Sequence, residues 1–329
     1  MRTRHTWGIV AVVAATLLVA GCSWRMETPA PQWPSPDAVT VMRDDAAQRE
    51  QAVIDAIATA AGAGTPQAVV IAEIEGAAAP QRLEALGGLY IAYPDSSPTP
   101  VASAVPTDVV AAVTAARDGH LADALVAQDA DLASLLTAAG LSHALSSWFA
   151  IWVDDQVAGE TQPVVEERLL STPVIPEPSL LPAEGSTTDE ETLSELGLAH
   201  DQARYAYEVL AARAAEDERE QWLARRALQD ARAQSLVDLP GVEDQRAAVY
   251  VLSPEQSGDS AQRVATAIEI ENRLGAAYAA LAATAGAGEK PWLLGAAFDA
   301  YAQAAAFGEP TDSPYPVPAL PGIESVGSD

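Results

Sequence analysis

The sequence predicts an all-α protein. Three observations carry that reading. Long stretches place apolar residues at steps of three and four, the period of a helix face. Gly or Pro residues mark the ends of several of those stretches, as at Gly62/Gly64, Pro240-Gly241, Gly286/Gly288 and Gly308. Only two short runs, 68–74 and 89–93, are β-favourable in composition, and both sit in Ala-rich, helix-like surroundings. With 49% hydrophobic residues the chain can fill a core, and with 5% aromatics that core is thin and Ala-rich, so helices approach closely.

Residues 1–21 read as a lipoprotein signal peptide. Arg2 and Arg4 precede an apolar run of about 14 residues from Trp7 to Ala20, short of the roughly 20 that cross a bilayer as a helix. Val19-Ala20-Gly21-Cys22 resembles a bacterial lipobox, and Cys22 is the only cysteine, so no disulfide forms within the chain. Lipidation of Cys22 is expected, with an acidic protein held on the outer face of the cytoplasmic membrane. Residues 22–36 form a Pro-rich tether.

Residues 37–156 predict an N-terminal helical domain. Helices are expected over 37–61, ended by Gly62 and Gly64, over 107–127, and over 129–154 with a break at Gly140. The two β-favourable runs are read as helix, with strand as the alternative. Residues 94–106 read as a loop. Residues 157–187 are a Pro-rich acidic linker that separates two helical regions or drapes over one of them.

Residues 188–309 predict four helices. The first, 189–213, carries Leu193, Leu196, His200, Ala203, Tyr207 and Leu210 on one face, with Thr188 and Glu191 as a capping box. The second, 217–239, holds Arg219, Arg225, Arg226 and Arg232, with Asp217 and Glu220 as a further capping box and a turn placed near 214–218. The third starts at Asp259 or Ser260, carries Ile268, Glu271, Gly275 and Tyr278 on one stripe, and ends at Gly286. The fourth opens at Pro291, packs Leu294, Phe298 and Tyr301, and closes at Gly308. Residues 310–329 form a Pro-rich tail expected to lie along the bundle.

The order His200-Asp-Gln-Ala-Arg-Tyr-Ala-Tyr207, then Arg225-Arg226, then the stretch from Val249 through Glu271 to Leu281, then an Ala-rich helix and Pro318-Ala-Leu-Pro-Gly-Ile-Glu324 resembles a ferritin-like domain-of-unknown-function family of actinobacterial proteins. The resemblance implies a ferritin-like four-helix bundle for the C-terminal half. Its motifs are aromatic, Arg and Glu positions, not a catalytic signature. Sites of His200 in that family more often hold a carboxylate, which weakens any role carried over to it.

The charge balance of 18 basic to 46 acidic residues, net −28, argues against nucleic-acid binding. A ferritin-like di-metal site needs Glu-x-x-His pairs. Past the signal the histidines are His120, His143 and His200, and none follows a Glu by three residues. No metal or cofactor is therefore expected. His120 with Asp123 one turn on is read as a solvated face. No G-x-S-x-G, G-x-x-x-x-G-K or C-x-x-C occurs, and no catalytic residue is assigned. His200, Arg225, Arg226 and Glu271 are expected to form a buried polar cluster, with an arginine neutralising the carboxylate. The functional expectation is a membrane-anchored cell-envelope lipoprotein acting as a non-enzymatic interaction or scaffold module, with an envelope protein as partner. Binding of a small ligand inside the bundle is the alternative, and metal-dependent redox by ferritin-like analogy a second.

Overall fold

The computed structural model describes residues 35–60, 64–91, 108–158, 167–308 and 315–323. Eight α-helices and no strand occur among them, as the periodicity predicts. The chain divides after Asp37, and all eight helices belong to the unit Ala38–Asp329. The signal peptide, Cys22 and nearly all of the tether lie outside the described residues.

The first bundle holds α1 (Ala38–Ala60), α2 (Pro66–Ala85), α3 (Val109–Val126) and α4 (Ala130–Ala158). Thr65 caps α2, its hydroxyl accepting from the Ala68 N–H at 3.2 Å, and Pro66 occupies the first turn, where its missing N–H costs nothing. Residues 68–74 are therefore helix. Leu89–Ile91 differs from the helix expected over 89–93. The helix stops at Ala85, and Gly87 and Gly88, both at positive φ, turn the chain into irregular structure. Residues 92 and 93 lie outside the described residues.

The break expected at Gly140 is absent. Helix α4 runs through it, because a Cβ there would sit 2.8 Å from Leu121 Cδ2. The glycine serves close helix approach rather than a turn. Helix α4 is the only described helix long and apolar enough to cross a membrane, but 83% of its apolar window is buried against protein, as in a core helix.

The second bundle holds α5 (Glu190–Arg213), α6 (Glu216–Val237), α7 (Ser260–Thr284) and α8 (Lys290–Phe307). Asp189, not Thr188, caps α5 by accepting from the Thr192 N–H at 2.8 Å. The Thr188 hydroxyl instead donates to Glu289, which also receives Ser186 and Thr187. The turn between α5 and α6 falls at Ala214–Ala215, and Ala215 stands at the N-cap without a side-chain bond, so the capping box expected from Asp217 is not the device used. Asp259 and Gln262 form the capping box of α7.

Helix α4 packs on α7 and α8, and one core cluster joins Leu121, Leu141 and Leu145 to Leu193, Tyr278, Trp292, Leu293 and Phe298. The Pro-rich stretch 167–187 buries Leu170, Ile175 and Leu180 in that region. It meets α8 so closely that a Cβ on Gly295 would lie 2.4 Å from the Ser179 carbonyl oxygen. Tail residue Tyr315 rests against Phe149 of α4, ring centroids 5.5 Å apart.

Gly295→Ala distinguishes a packed stretch from a loose one. In a free helix the change stabilises by about 1 kcal/mol. Here the Ser179 backbone must move, so the variant should melt below the parent in a thermal scan. A rise in melting temperature would show that 167–187 does not rest on α8.

Candidate functional site

Two sealed polar clusters stand inside the helices, one per bundle. In the second bundle, Glu271 of α7 is the centre. Arg225 of α6 donates through Nε to Oε1 at 2.8 Å and through Nη2 to Oε2 at 2.6 Å, the two-pronged geometry that a planar guanidinium suits. Tyr207 Oη donates to Oε1 at 2.6 Å, and Gln229 Nε2 at 3.0 Å. Because the Gln229 amide donates there, its Oε1 is free to accept from His200 Nδ1 at 2.5 Å. His200 Nε2 lies 2.6 Å from the Tyr278 hydroxyl, which donates to it when the imidazole is neutral and carries its proton on Nδ1.

A second carboxylate completes the charge. Asp299 Oδ2 of α8 accepts from Arg232 at 2.7 Å and lies 3.4 Å from Arg225 Nη2. Its Oδ1 accepts from the Arg168 N–H at 2.7 Å. Two buried carboxylates thus face two arginines. Burial opposes ionisation of Asp299, but Arg232 and Arg225 outweigh it and hold the carboxyl below its usual range. Burial pushes His200 down to about 3, and Arg232 pushes the same way. The expected cluster is therefore found in three of its four members. His200, Arg225 and Glu271 meet, whereas Arg226 lies on the partly exposed face of α6 and pairs with Glu208 at 3.3 Å. One position along a helix turns a side chain by about 100°, so Arg225 and Arg226 cannot share a face.

The cluster of the first bundle was not foreseen. Arg82 of α2 donates through Nε to Glu50 Oε2 at 2.9 Å, through Nη2 to Glu75 Oε2, and through Nη1 to the Ser142 hydroxyl at 2.8 Å. That leaves Oε1 of each carboxylate for the histidines. Glu50 Oε1 meets His120 Nε2 at 2.8 Å and His143 Nε2 at 3.0 Å, and Glu75 Oε1 meets His143 Nδ1 at 3.1 Å. All five charged or titratable side chains are fully buried. The imidazoles of α3 and α4 stack at 5.6 Å with planes 4° apart.

Both His143 nitrogens face carboxylate oxygens. Burial and Arg82 oppose its proton, yet Glu75 and Glu50 hold it and raise its pKa. Burial pushes His120 the other way, down to about 4. Burial also opposes ionisation of Glu75, but Arg82 and His143 bring its carboxyl down to about 2. The solvated face expected for His120 and Asp123 is not found: His120 is fully buried against Glu50, and Asp123 pairs with Arg49 at 2.6 Å. A sequence signal for this cluster did exist. Glu50, Glu75 and Arg82 each fall among apolar positions of their helices, beside Ala46, Val53, Ile71, Ala78 and Ala79. Glu50, His120 and His143 bring three possible metal donors within 4.8 Å of one another.

The centres of both clusters are without solvent, the second reaching the surface only where Arg232 meets the half-exposed Glu167 at 3.2 Å, and each buried carboxylate meets a cation by direct contact. Chemically this favours fixing helix register over meeting a substrate. Glu271→Leu should leave Arg225 buried without its main partner and lower stability by about 3–5 kcal/mol in denaturant unfolding. Adding Arg225→Met should recover a large part of that loss; equal losses for the single and double variants would contradict a coupled pair.

The neutral histidines set a pH dependence. Folded His200 takes its proton near pH 3, whereas the unfolded group takes it near 6.5. Stability is then complete above about 6.5 and falls with acid below it, because the unfolded chain binds the extra proton. The melting temperature of the native chain should therefore fall relative to His200→Gln between pH 7 and pH 4. Parallel curves would show that His200 is not held neutral.

Comparison with protein-family models, with curated proteins and with solved structures gives no match for this chain.

Proposed function

We propose that the chain is a lipid-anchored protein of the cell envelope that acts through contacts rather than turnover. The observation that carries this reading is the sealing of both polar clusters. Glu50, Glu75, Arg82, His120, His143, Arg225 and Glu271 reach no solvent, and each carboxylate is already occupied by cations of the protein itself. A substrate would have to break those pairs to reach a reacting group. The anchor rests on Cys22 and the lipobox-like residues before it. The ferritin-like assignment rests on the sequence resemblance and is compatible with α5–α8 enclosing a common polar centre.

One surface fits contact work. The loop between α6 and α7 is pinned by the Tyr250 hydroxyl, which donates to Asp201 at 2.7 Å. On either side of it Val249 and Val251 face outward, Val251 at 99% exposure. An apolar side chain held outward on an anchored loop is available to a protein partner.

A specific observation favours ligand binding as the second reading. A cleft of about 580 Å³ lies between α7, α8 and the tail, lined by Ile268, Ala276, Tyr301, Val317, Leu320 and Ile323. The buried Tyr301 hydroxyl has no hydrogen-bond partner, so one polar group on an apolar ligand would satisfy it.

The anchor and the contact are tested together in cells. Mass analysis of the membrane-extracted protein should find an acylated N-terminus at Cys22, and Cys22→Ala should move the protein to the soluble fraction. In-cell crosslinking of the anchored protein should give a discrete product that weakens with Val251→Asp. An unmodified Cys22 with persisting membrane association would remove the anchor. Crosslinking unchanged by Val251→Asp would remove the loop.

A further inference from the structure

The first-bundle cluster has a donor arrangement that ion pairing alone does not require. Arg82 takes the outer oxygens of both carboxylates. This turns Glu50 Oε1 toward the Nε2 atoms of two different histidines, at 2.8 and 3.0 Å. Three donors from α1, α3 and α4 thus converge on one point, all within 4.8 Å of one another. Behind them, Glu75 Oε1 faces His143 Nδ1 at 3.1 Å. A carboxylate on the far nitrogen of a histidine is the usual support of a metal-bound imidazole, since it fixes the ring and its tautomer. Arg82 supports Glu50 in the same sense. The cluster therefore has an inner set and an outer set.

We propose that Glu50 Oε1, His120 Nε2 and His143 Nε2 form a site for one borderline divalent transition-metal ion, of which zinc is the representative. Two imidazoles and one carboxylate suit that class; magnesium and calcium take oxygen donors. Zinc is held at about 2.0–2.2 Å by such groups, with tetrahedral coordination leaving a fourth position for water. Coordination replaces the Nε2 proton of His143, which passes to solvent. His120 keeps its single proton by carrying it on Nδ1. That atom has no hydrogen-bond partner, so the shift breaks no bond there. His143 becomes neutral, and the approach of Arg82 Nη2 to its Nδ1 at 3.4 Å ceases to be a contact of two cations. The ion joins three helices of the first bundle and is independent of the anchor and of the contact role.

The site is enclosed, so the ion is best supplied during folding. The full chain, purified without a histidine tag, is unfolded and refolded with cobalt(II) or zinc(II) chloride in place of any resident ion. The expected results are one metal per chain, a visible cobalt absorption of tetrahedral type, and a higher melting temperature with zinc that a chelator reverses. His120→Gln should abolish the cobalt band. His120 makes one hydrogen bond in the cluster, so this variant is the mildest removal of a donor. Glu75→Gln should keep the band and weaken affinity roughly 10- to 100-fold. Magnesium should do nothing. Refolded native chain without a cobalt band and with a melting temperature indifferent to zinc would overturn the proposal, as would a band that survives in both His120→Gln and His143→Gln.

Discussion

A charge that leaves water must meet its opposite at hydrogen-bond distance, and the Arg225–Glu271 pair is where this chain meets that demand most strictly. Both side chains are without solvent, and no rearrangement of one helix alone keeps them together. Helix α6 supplies the guanidinium and α7 the carboxylate. Helix α5 supplies the Tyr207 hydroxyl that shares Oε1, and α8 supplies Asp299 against the other flank of Arg225. Apolar contacts, which are non-directional, do not by themselves specify how these four helices mesh. Directional bonds to one carboxylate do so, because a slip by one turn would strand a charge in an apolar medium.

The first bundle solves the same problem with different chemistry. A single Arg82 serves two carboxylates there, and the remaining positive charge sits on an imidazole. The two centres therefore respond to conditions differently. Arg225 keeps its charge at any accessible pH, whereas the first centre contains a histidine that holds a proton and one that refuses it. Both centres are closed by chain that is neither helix nor strand: the Arg168 N–H reaches Asp299, and the Pro318 carbonyl oxygen accepts from Ser142. The Pro-rich segments are thus part of the interior as well as connections.

Much of the architecture was legible from residue spacing. A cap at Asp259, the periodic apolar faces of α5 and α7, and the partnership of Glu271 with an arginine all follow from local rules. What escaped were matters settled by neighbours far along the chain. Gly140 carries the signature of a break, but its meaning is the approach of Leu121. Thr188 has the composition of a cap, but Glu289, about a hundred residues later, takes its hydroxyl. The choice between Arg225 and Arg226 required the phase of α6 to within one residue. The first-bundle centre escaped because its members come from four helices with no motif linking them. Only the oddity of charges on apolar faces marks Glu50, Glu75 and Arg82.

The bond from Ser142 to Pro318 spans 176 positions of chain. Ser142 also receives Arg82, so the hydroxyl relays the inner network of the first bundle to the last described segment of the protein. A ribosome releases the first bundle long before it releases that segment. The early half therefore waits with its polar centre incompletely bonded until the end of the chain arrives. Contacts this distant in sequence slow the search for the native state. They also tie its completion to the synthesis of the whole, so that a chain cut short before Pro318 leaves the oldest part of the fold unfinished.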